Sequence, residues 1–285
     1  MESTGERFIP LDMNGQIEVE HLNRYLFVCH TLSLKGKRVL DIASGTGYGS
    51  NLMADYASQV YGIDISQEAV DYATLHYKKD NISFLQGDCR AIPIADHSID
   101  IVVSFETIEH TLYQEEFFSE IVRVLKHDGI LVMSSPNKRL YTDIPDVVNP
   151  YHVKELYTDE FLVLVKGYFM HVEQYGQSYA LTSMIYPMEN NQKTLDRPME
   201  CDNENNTVHE LEPLYNLVIA SNIPLPLHNN PAILIHVDKV TIPILENNAK
   251  EESRVMCQKT PSWKLGHTLL HPLKSIRNVF CKHKR

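Results

Sequence analysis

No apolar run in this 285-residue chain approaches the roughly 20 residues that a membrane-spanning helix requires. The opening Met1-Glu2-Ser3-Thr4-Gly5-Glu6-Arg7 also lacks the apolar core of a signal peptide, so a cytoplasmic protein is expected. Cysteine is sparse: Cys29, Cys89, Cys201, Cys257 and Cys281 are odd in number, scattered and never spaced as CxxC. That pattern gives neither a disulfide framework nor a zinc site, and no other metal site is read from spacing. Basic side chains are few as well, 26 Lys and Arg against 37 Asp and Glu, for a net charge of −11. Eight of those basic residues, and no acid, fall within 253–285. The rest of the chain, with 18 basic side chains against 37 acidic ones, carries −19. Such a body repels nucleic acid, whereas the tail can meet an anionic surface. There is no internal repeat, and nothing in the pattern specifies an oligomer.

What is present suffices for one sizeable α/β core with appendages, at 43% hydrophobic and 22% charged residues. Its centre is 37–64. Arg38-Val39-Leu40-Asp41-Ile42 is an apolar run with one acid, and it opens into Ala43-Ser44-Gly45-Thr46-Gly47-Tyr48-Gly49. This reads as a buried strand, a tight turn and a helix. Glycine at alternate positions lets a ligand approach the backbone closely. A second run, Val60-Tyr61-Gly62-Ile63-Asp64, ends in a carboxylate about twenty residues after the first glycine, which suits a ribose diol. A dinucleotide site would carry GxGxxG and needs no acid in the strand. Here the loop is GxGxG and Asp41 precedes it.

In these residues the chain resembles the class I S-adenosylmethionine-dependent methyltransferases, whose first motif is hydrophobic-Asp-hydrophobic-x-x-Gly-x-Gly. Later segments extend the resemblance over about residues 4–240. The strand 81–86 runs into Gly87-Asp88-Cys89-Arg90; Ile92-Pro93 leads through an acidic turn to Asp100 and the strand 101–104; and Leu125-Lys126 leads to Gly129 and the strand 130–134. Asp128 stands where the family has a first glycine, and Gly129 is expected to supply a positive φ. Ser44 stands where Gly or Cys is common. The resemblance implies a Rossmann-like sheet of six parallel strands and an antiparallel seventh, with helices on both faces. It also implies S-adenosyl-L-methionine as cofactor, with Asp41, Ala43, Ser44, Gly45, Gly47, Asp64, Ile65, Asp88, Cys89 and Phe105 around it, Asp88 accepting from the adenine amino group.

The acceptor is expected at the carboxyl end of the fourth strand, in Phe105-Glu106-Thr107-Ile108-Glu109-His110. A Glu-His pair stands there in many small-molecule methyltransferases, and Glu109-His110 matches it. The pair serves equally well to brace the next helix. Between 137 and 157 lies a proline-bearing insertion, which the resemblance implies is a substrate lid; it ends in Asn149-Pro150-Tyr151-His152-Val153-Lys154-Glu155-Leu156. That phrase, with Gly-Glu-Arg-Phe-x-Pro at 5–10 and Glu20-His21-Leu22-Asn23-Arg24-Tyr25, resembles bacterial methyltransferases linked to cell-surface polysaccharide synthesis. His152 could reach a sugar hydroxyl or fasten the loop to the next helix. A hydroxyl is a poor nucleophile, so His152, His110 and Glu109 are the candidate catalytic groups. A glycan or other small-molecule acceptor is expected; a quinone methyltransferase, or a non-catalytic protein that binds the same cofactor, is the alternative.

The domain plan is a lid and helix over 1–35, the Rossmann-like domain over 36–245 with a flexible acidic loop at 180–212, and a basic amphipathic tail over 246–285. In the leading helix, 17–30, Val19, Leu22, Leu26 and Cys29 are spaced to face inward, with Glu18, Glu20 and Arg24 outside. Strand six is expected at 168–175 and strand seven at 215–220. In the tail, Leu265, Leu269, Leu273, Ile276 and Phe280 recur at spacings of three and four, beside Lys264, Lys274 and Arg277. That pattern suits peripheral membrane contact through 263–285, although Pro272 forces a kink.

Overall fold

The computed structural model describes residues 15–178, 199–202, 207–210 and 212–225. The leader at 4–10, the tail at 246–285 and its proposed anchor lie outside the described residues. Helix α1 (Gly15–Thr31) precedes β1 (Arg38–Ile42), α2 (Tyr48–Met53), β2 (Gln59–Asp64), α3 (Gln67–His76), β3 (Ile82–Gln86) and β4 (Ile99–Ser104). Then follow α4 (Gln114–Val124), β5 (Leu125–Pro136), α5 (Thr158–Lys166), β6 (His171–Gln177), β7 (Met199–Asp202), β8 (Thr207–Glu210) and β9 (Tyr215–Ser221).

Seven strands form one sheet in the order β3-β2-β1-β4-β5-β9-β6. Strand β9 runs antiparallel to both β5 and β6, so the other six are mutually parallel, as expected. The chain winds outward from β1 to β3 and returns to place β4 on the other side of β1, in register Val39 to Ile101. Crevices at such reversals, beyond the carboxyl ends of the strands, are where open α/β sheets bind ligands.

Continuous apolar runs are what a sheet covered on both faces requires, because successive side chains point to opposite sides. Leu40, Ile42, Val102, Leu131 and Met133 meet Phe117, Phe118 and Ile121 of α4 and Phe161 of α5. Val39, Val60, Ile101, Val103, Val132 and Ile219 instead meet Tyr25 and Val28 of α1 and Met53 of α2. Phe117, Ile121 and Val124 form the inward face of α4, as their spacing predicts. Ser66 accepts from the Ala69 amide (3.3 Å) and caps α3, with Val70 and Ala73 inside.

Several expectations change. In α1 the buried side chains include Arg24, Tyr25 and Val28, and Glu20 is buried with them. These charges turn inward because they meet partners distant in sequence. Arg24 Nε donates to Gln177 (2.6 Å), its guanidinium lies 4.4 Å from the Tyr215 ring centre, and Tyr215 donates to Glu20 (3.1 Å). Gly129 does not take a positive φ, because α4 leads directly into an extended β5 that begins at Leu125. A side chain at 129 would still stand 2.7 Å from Leu125, so glycine is kept there by close packing. Helix α5 has Tyr157 at its cap, with the Tyr157 amide donating to Glu160 (3.0 Å). Strand β6 starts three residues late, after the turn that buries Phe169. Within 180–212, read as loop, β7 and β8 pair as an antiparallel hairpin. The described residues contain no helix long and apolar enough to cross a membrane.

Candidate functional site

The loop after β1 is held open by three left-handed residues, Ala43 (φ 58), Gly45 (φ 54) and Gly47 (φ 83). Such a conformation is costly for alanine and persists where surrounding structure imposes it, commonly at ligand sites. Here the Ser44 amide donates to Ile63 O (2.9 Å) and the Gly47 amide to Ser44 O (2.9 Å). Asp64, at the tip of β2, accepts from Gly45 N–H and Ser66 N–H, each at 2.9 Å. The two loops expected to share a ligand are thus joined through Asp64. Ile65 beside it is 67% exposed, an apolar surface next to the carboxylate.

Asp41 lies beneath the loop, at the end of β1. It is fully enclosed, accepting from Ser50 Oγ (2.5 Å) and from Tyr25 OH (3.2 Å), so it fastens α1 and α2 beneath the loop. Burial raises its pKa to about 7, against the lowering effect of the two hydroxyl donors. A carboxyl protonated more readily in the fold than in the unfolded chain costs stability once both states would ionise. Stability therefore falls as pH rises from about 4 to about 7. Urea unfolding of the wild type and Asp41→Asn across that range is expected to show a downward slope in the wild type that the variant lacks. Parallel curves would contradict it.

Tyr25, which the sequence reading did not single out by function, is the hub of this wall. Its ring stands edge-on to Tyr48 (5.4 Å) and to Phe105 (5.1 Å). Phe105 is buried there, a wall residue behind the loop. Asp88 is gripped by Arg90, at 2.5 Å from Nη2 and 3.0 Å from Nε, which holds its pKa down at about 2. The structure thus turns Asp88 towards Arg90, and Arg90 in turn lies 4.8 Å from the Tyr113 ring centre. Cys89 is partly buried and its thiol is pushed up to about 11 by burial, so it is unreactive near neutrality.

The three candidate catalytic residues do come together. Glu109 and His110 lie in a short 3-10 turn after β4, and His152 lies in the loop after β5. Glu109 O accepts from both Val153 N–H (2.9 Å) and Lys154 N–H (3.0 Å), which ties the second loop to the first. The His110 and His152 rings stand edge-on at 4.9 Å, and Tyr141 stacks on His152 at 5.2 Å. His152 Nδ1 is 2.5 Å from Glu155, itself bound by Thr142 (2.6 Å). One ligand atom from each of Glu109, His110 and His152 lies within 4.8 Å of the others. Spacing could not reveal this set, since 42 residues separate its histidines. Glu106, in the segment expected to meet the acceptor, takes φ 48, accepts from Ser134 Oγ (2.6 Å) and faces Arg24 (3.6 Å). In the segments that adjoin these residues in sequence, Leu112, Tyr113, Ile144, Val147, Val148, Tyr151 and Val153 are each about half or more exposed.

Residues 40–133 match a family model described as a methyltransferase domain. A probable S-adenosylmethionine-dependent methyltransferase of Mycobacterium tuberculosis is 34% identical over 177 residues, 61% of this chain and 63% of the relative. The match thus spans less than two thirds of that relative's length. A phthiotriol/phenolphthiotriol dimycocerosates methyltransferase of Mycobacterium ulcerans is 26% identical over 138 residues, 48% of each chain. Among solved structures, a protein of Pyrococcus horikoshii superposes with TM-score 0.54 at 21% identity, covering 74% of this chain and 93% of its own, a likeness of fold.

Proposed function

We propose that this chain, whose residues 40–133 match a methyltransferase domain, is a class I S-adenosylmethionine-dependent methyltransferase that transfers a methyl group from S-adenosyl-L-methionine to a hydroxyl. The carrying observation is the joining of the open loop at 43–47 to Asp64 through the Gly45 amide. Those residues fit the cofactor: left-handed backbone admits it close to the loop, and a carboxylate at the tip of β2 suits the ribose hydroxyls, since each of its oxygens can accept more than one hydrogen bond. When bound, the cofactor supplies a methyl carbon already activated by a positive sulfur. The chain's own work is therefore to align an acceptor and exclude water. Glu109, His110 and His152, in the loops that follow β4 and β5, are the groups we assign to hold the acceptor hydroxyl and to ease the loss of its proton.

The acceptor class we assign first is a sugar hydroxyl, because the segment 149–156 resembles methyltransferases of polysaccharide synthesis. A second reading, a hydroxyl carried on a lipid, is favoured by the exposed apolar side chains of Leu112, Ile144, Val147 and Val148 in the segments next to these residues in sequence. The name of the Mycobacterium ulcerans relative points the same way. The test is transfer of isotope-labelled methyl from the cofactor to a soluble oligosaccharide, to a glycolipid and to a long-chain diol. Label in the first two supports the sugar, label in the last two supports the lipid, and label in none refutes the hydroxyl reading.

A further inference from the structure

We propose that Glu109, His110 and His152 form a binding site for a divalent first-row transition-metal cation, which holds the acceptor hydroxyl. The inference rests on the methyl-transfer reading and adds a cofactor that spacing gave no reason to expect. Both imidazoles are set in one tautomer by their surroundings. His110 Nδ1 lies 3.0 Å from the Tyr151 carbonyl, which can only accept, so Nδ1 carries the proton and Nε2 the lone pair. His152 Nδ1 faces the Glu155 carboxylate at 2.5 Å, with the same result. A histidine whose outer nitrogen donates to a carbonyl or carboxylate is the usual form of a metal ligand. Here two such histidines stand beside a carboxylate.

The Glu109 carboxylate is fully enclosed, with His110 Nε2 at 3.9 Å. Buried charge is tolerated where it is paired or coordinates a metal. A proton-transfer role needs one histidine; it gives no reason for a second imidazole and a buried carboxylate to converge within 4.8 Å. Metal bonds of about 2.1 Å require the donors to close by about 1 Å. The link from Glu109 O to residues 153 and 154 keeps the loops in step during that closure. The Asn149 amide, which now donates to His152 Nε2 (3.0 Å), turns aside in the bound state. Two imidazoles with one carboxylate favour zinc- or iron-class ions over magnesium or calcium, which take oxygen ligands. Three protein ligands leave positions open, and His110, one third exposed, marks the open side.

A hydroxyl on the cation loses its proton to solvent more readily. Its oxygen lone pair then forms the bond to the methyl carbon as the carbon–sulfur bond breaks, and that electron pair stays on sulfur as a neutral thioether. The cation is neither oxidised nor reduced.

The experiment takes the full-length, untagged protein after chelation and titrates it with MnCl2 and ZnCl2 by calorimetry, with Mn2+ electron paramagnetic resonance as a second readout. Wild type, Glu109→Gln and His152→Ala are compared, and S-adenosylmethionine affinity is measured on the same samples as a check on the fold. The expected result is one cation per wild-type chain and binding weaker by about tenfold or more in both variants, since loss of even an outer partner costs 10–100-fold. Glu155→Gln is expected to weaken binding by about tenfold and serves if either variant fails to fold. No cation bound by the wild type, or affinity unchanged by the substitutions, overturns the site. If the methyl donor still binds in that case, the methyl-transfer reading stands without a metal. If the cation binds as described and the methyl donor does not, the methyl-transfer reading fails and the cation site remains.

Discussion

Replacing Gly49 by alanine is expected to cost about 3 kcal/mol or more of folding stability and to abolish cofactor binding at micromolar concentrations. An added Cβ would stand 2.0 Å from Tyr25 Cζ and 2.3 Å from both neighbouring ring carbons. The ring has nowhere to go. It is packed edge-on against Tyr48 and Phe105 and its hydroxyl donates to Asp41. Relief must come from moving α1 off α2 or from displacing α2, and α2 carries the Asp41 tether through Ser50. Either shift reaches the loop at 43–47, so stability and binding fall together. Overpacking of this kind typically costs 1–3 kcal/mol and more where the neighbours are fixed. Urea unfolding with parallel titration of S-adenosylhomocysteine checks it, and a Gly49→Ala protein with wild-type midpoint and affinity would contradict the packing described.

Arg24→Met is expected to cost about 3–5 kcal/mol, because it removes the cation from a buried pair and leaves the acids behind. Arg24 is 2% exposed, and Glu106 at 3.6 Å is 14% exposed. The substitution keeps most of the side-chain volume, so the loss reports charge and hydrogen bonding, including the 2.6 Å bond to Gln177. Adding Glu106→Gln to Arg24→Met is expected to recover part of the loss, since an uncompensated carboxylate no longer remains in the interior. Chemical unfolding of the two single variants and the double variant measures this. A single-variant loss below about 1 kcal/mol would show that the pair is not held as the structure has it.

The parts of the molecule that were legible in the sequence are those written locally. The apolar run Val39-Leu40-Asp41-Ile42, the turn glycines and the carboxylate of Asp64 lie within one strand-turn-helix-strand unit, and their geometry follows from side-chain period and backbone freedom. The inward face of α4 was legible for the same reason. Glu20 and Arg24 were not, because the side chain that receives Glu20 is Tyr215, 195 residues away. Helical periodicity places a charged residue outside unless a distant partner calls it in. The pairing of Asp88 with Arg90 was within reach, since only Cys89 stands between them. The joining of Glu109-His110 to His152 depends on two backbone bonds between loops after different strands, and no residue pattern records these.

The most direct measurement is titration of S-adenosyl-L-methionine into the full-length protein and into Asp64→Ala, with melting temperature as the control on fold. Asp64 both joins the two loops and offers its oxygens at the tip of β2. The wild type is predicted to bind one molecule per chain, and the variant to bind at least about tenfold more weakly, a loss of about 1.4 kcal/mol. No binding by the wild type, or equal affinities in two folded proteins, would contradict the assignment of this loop as the cofactor site.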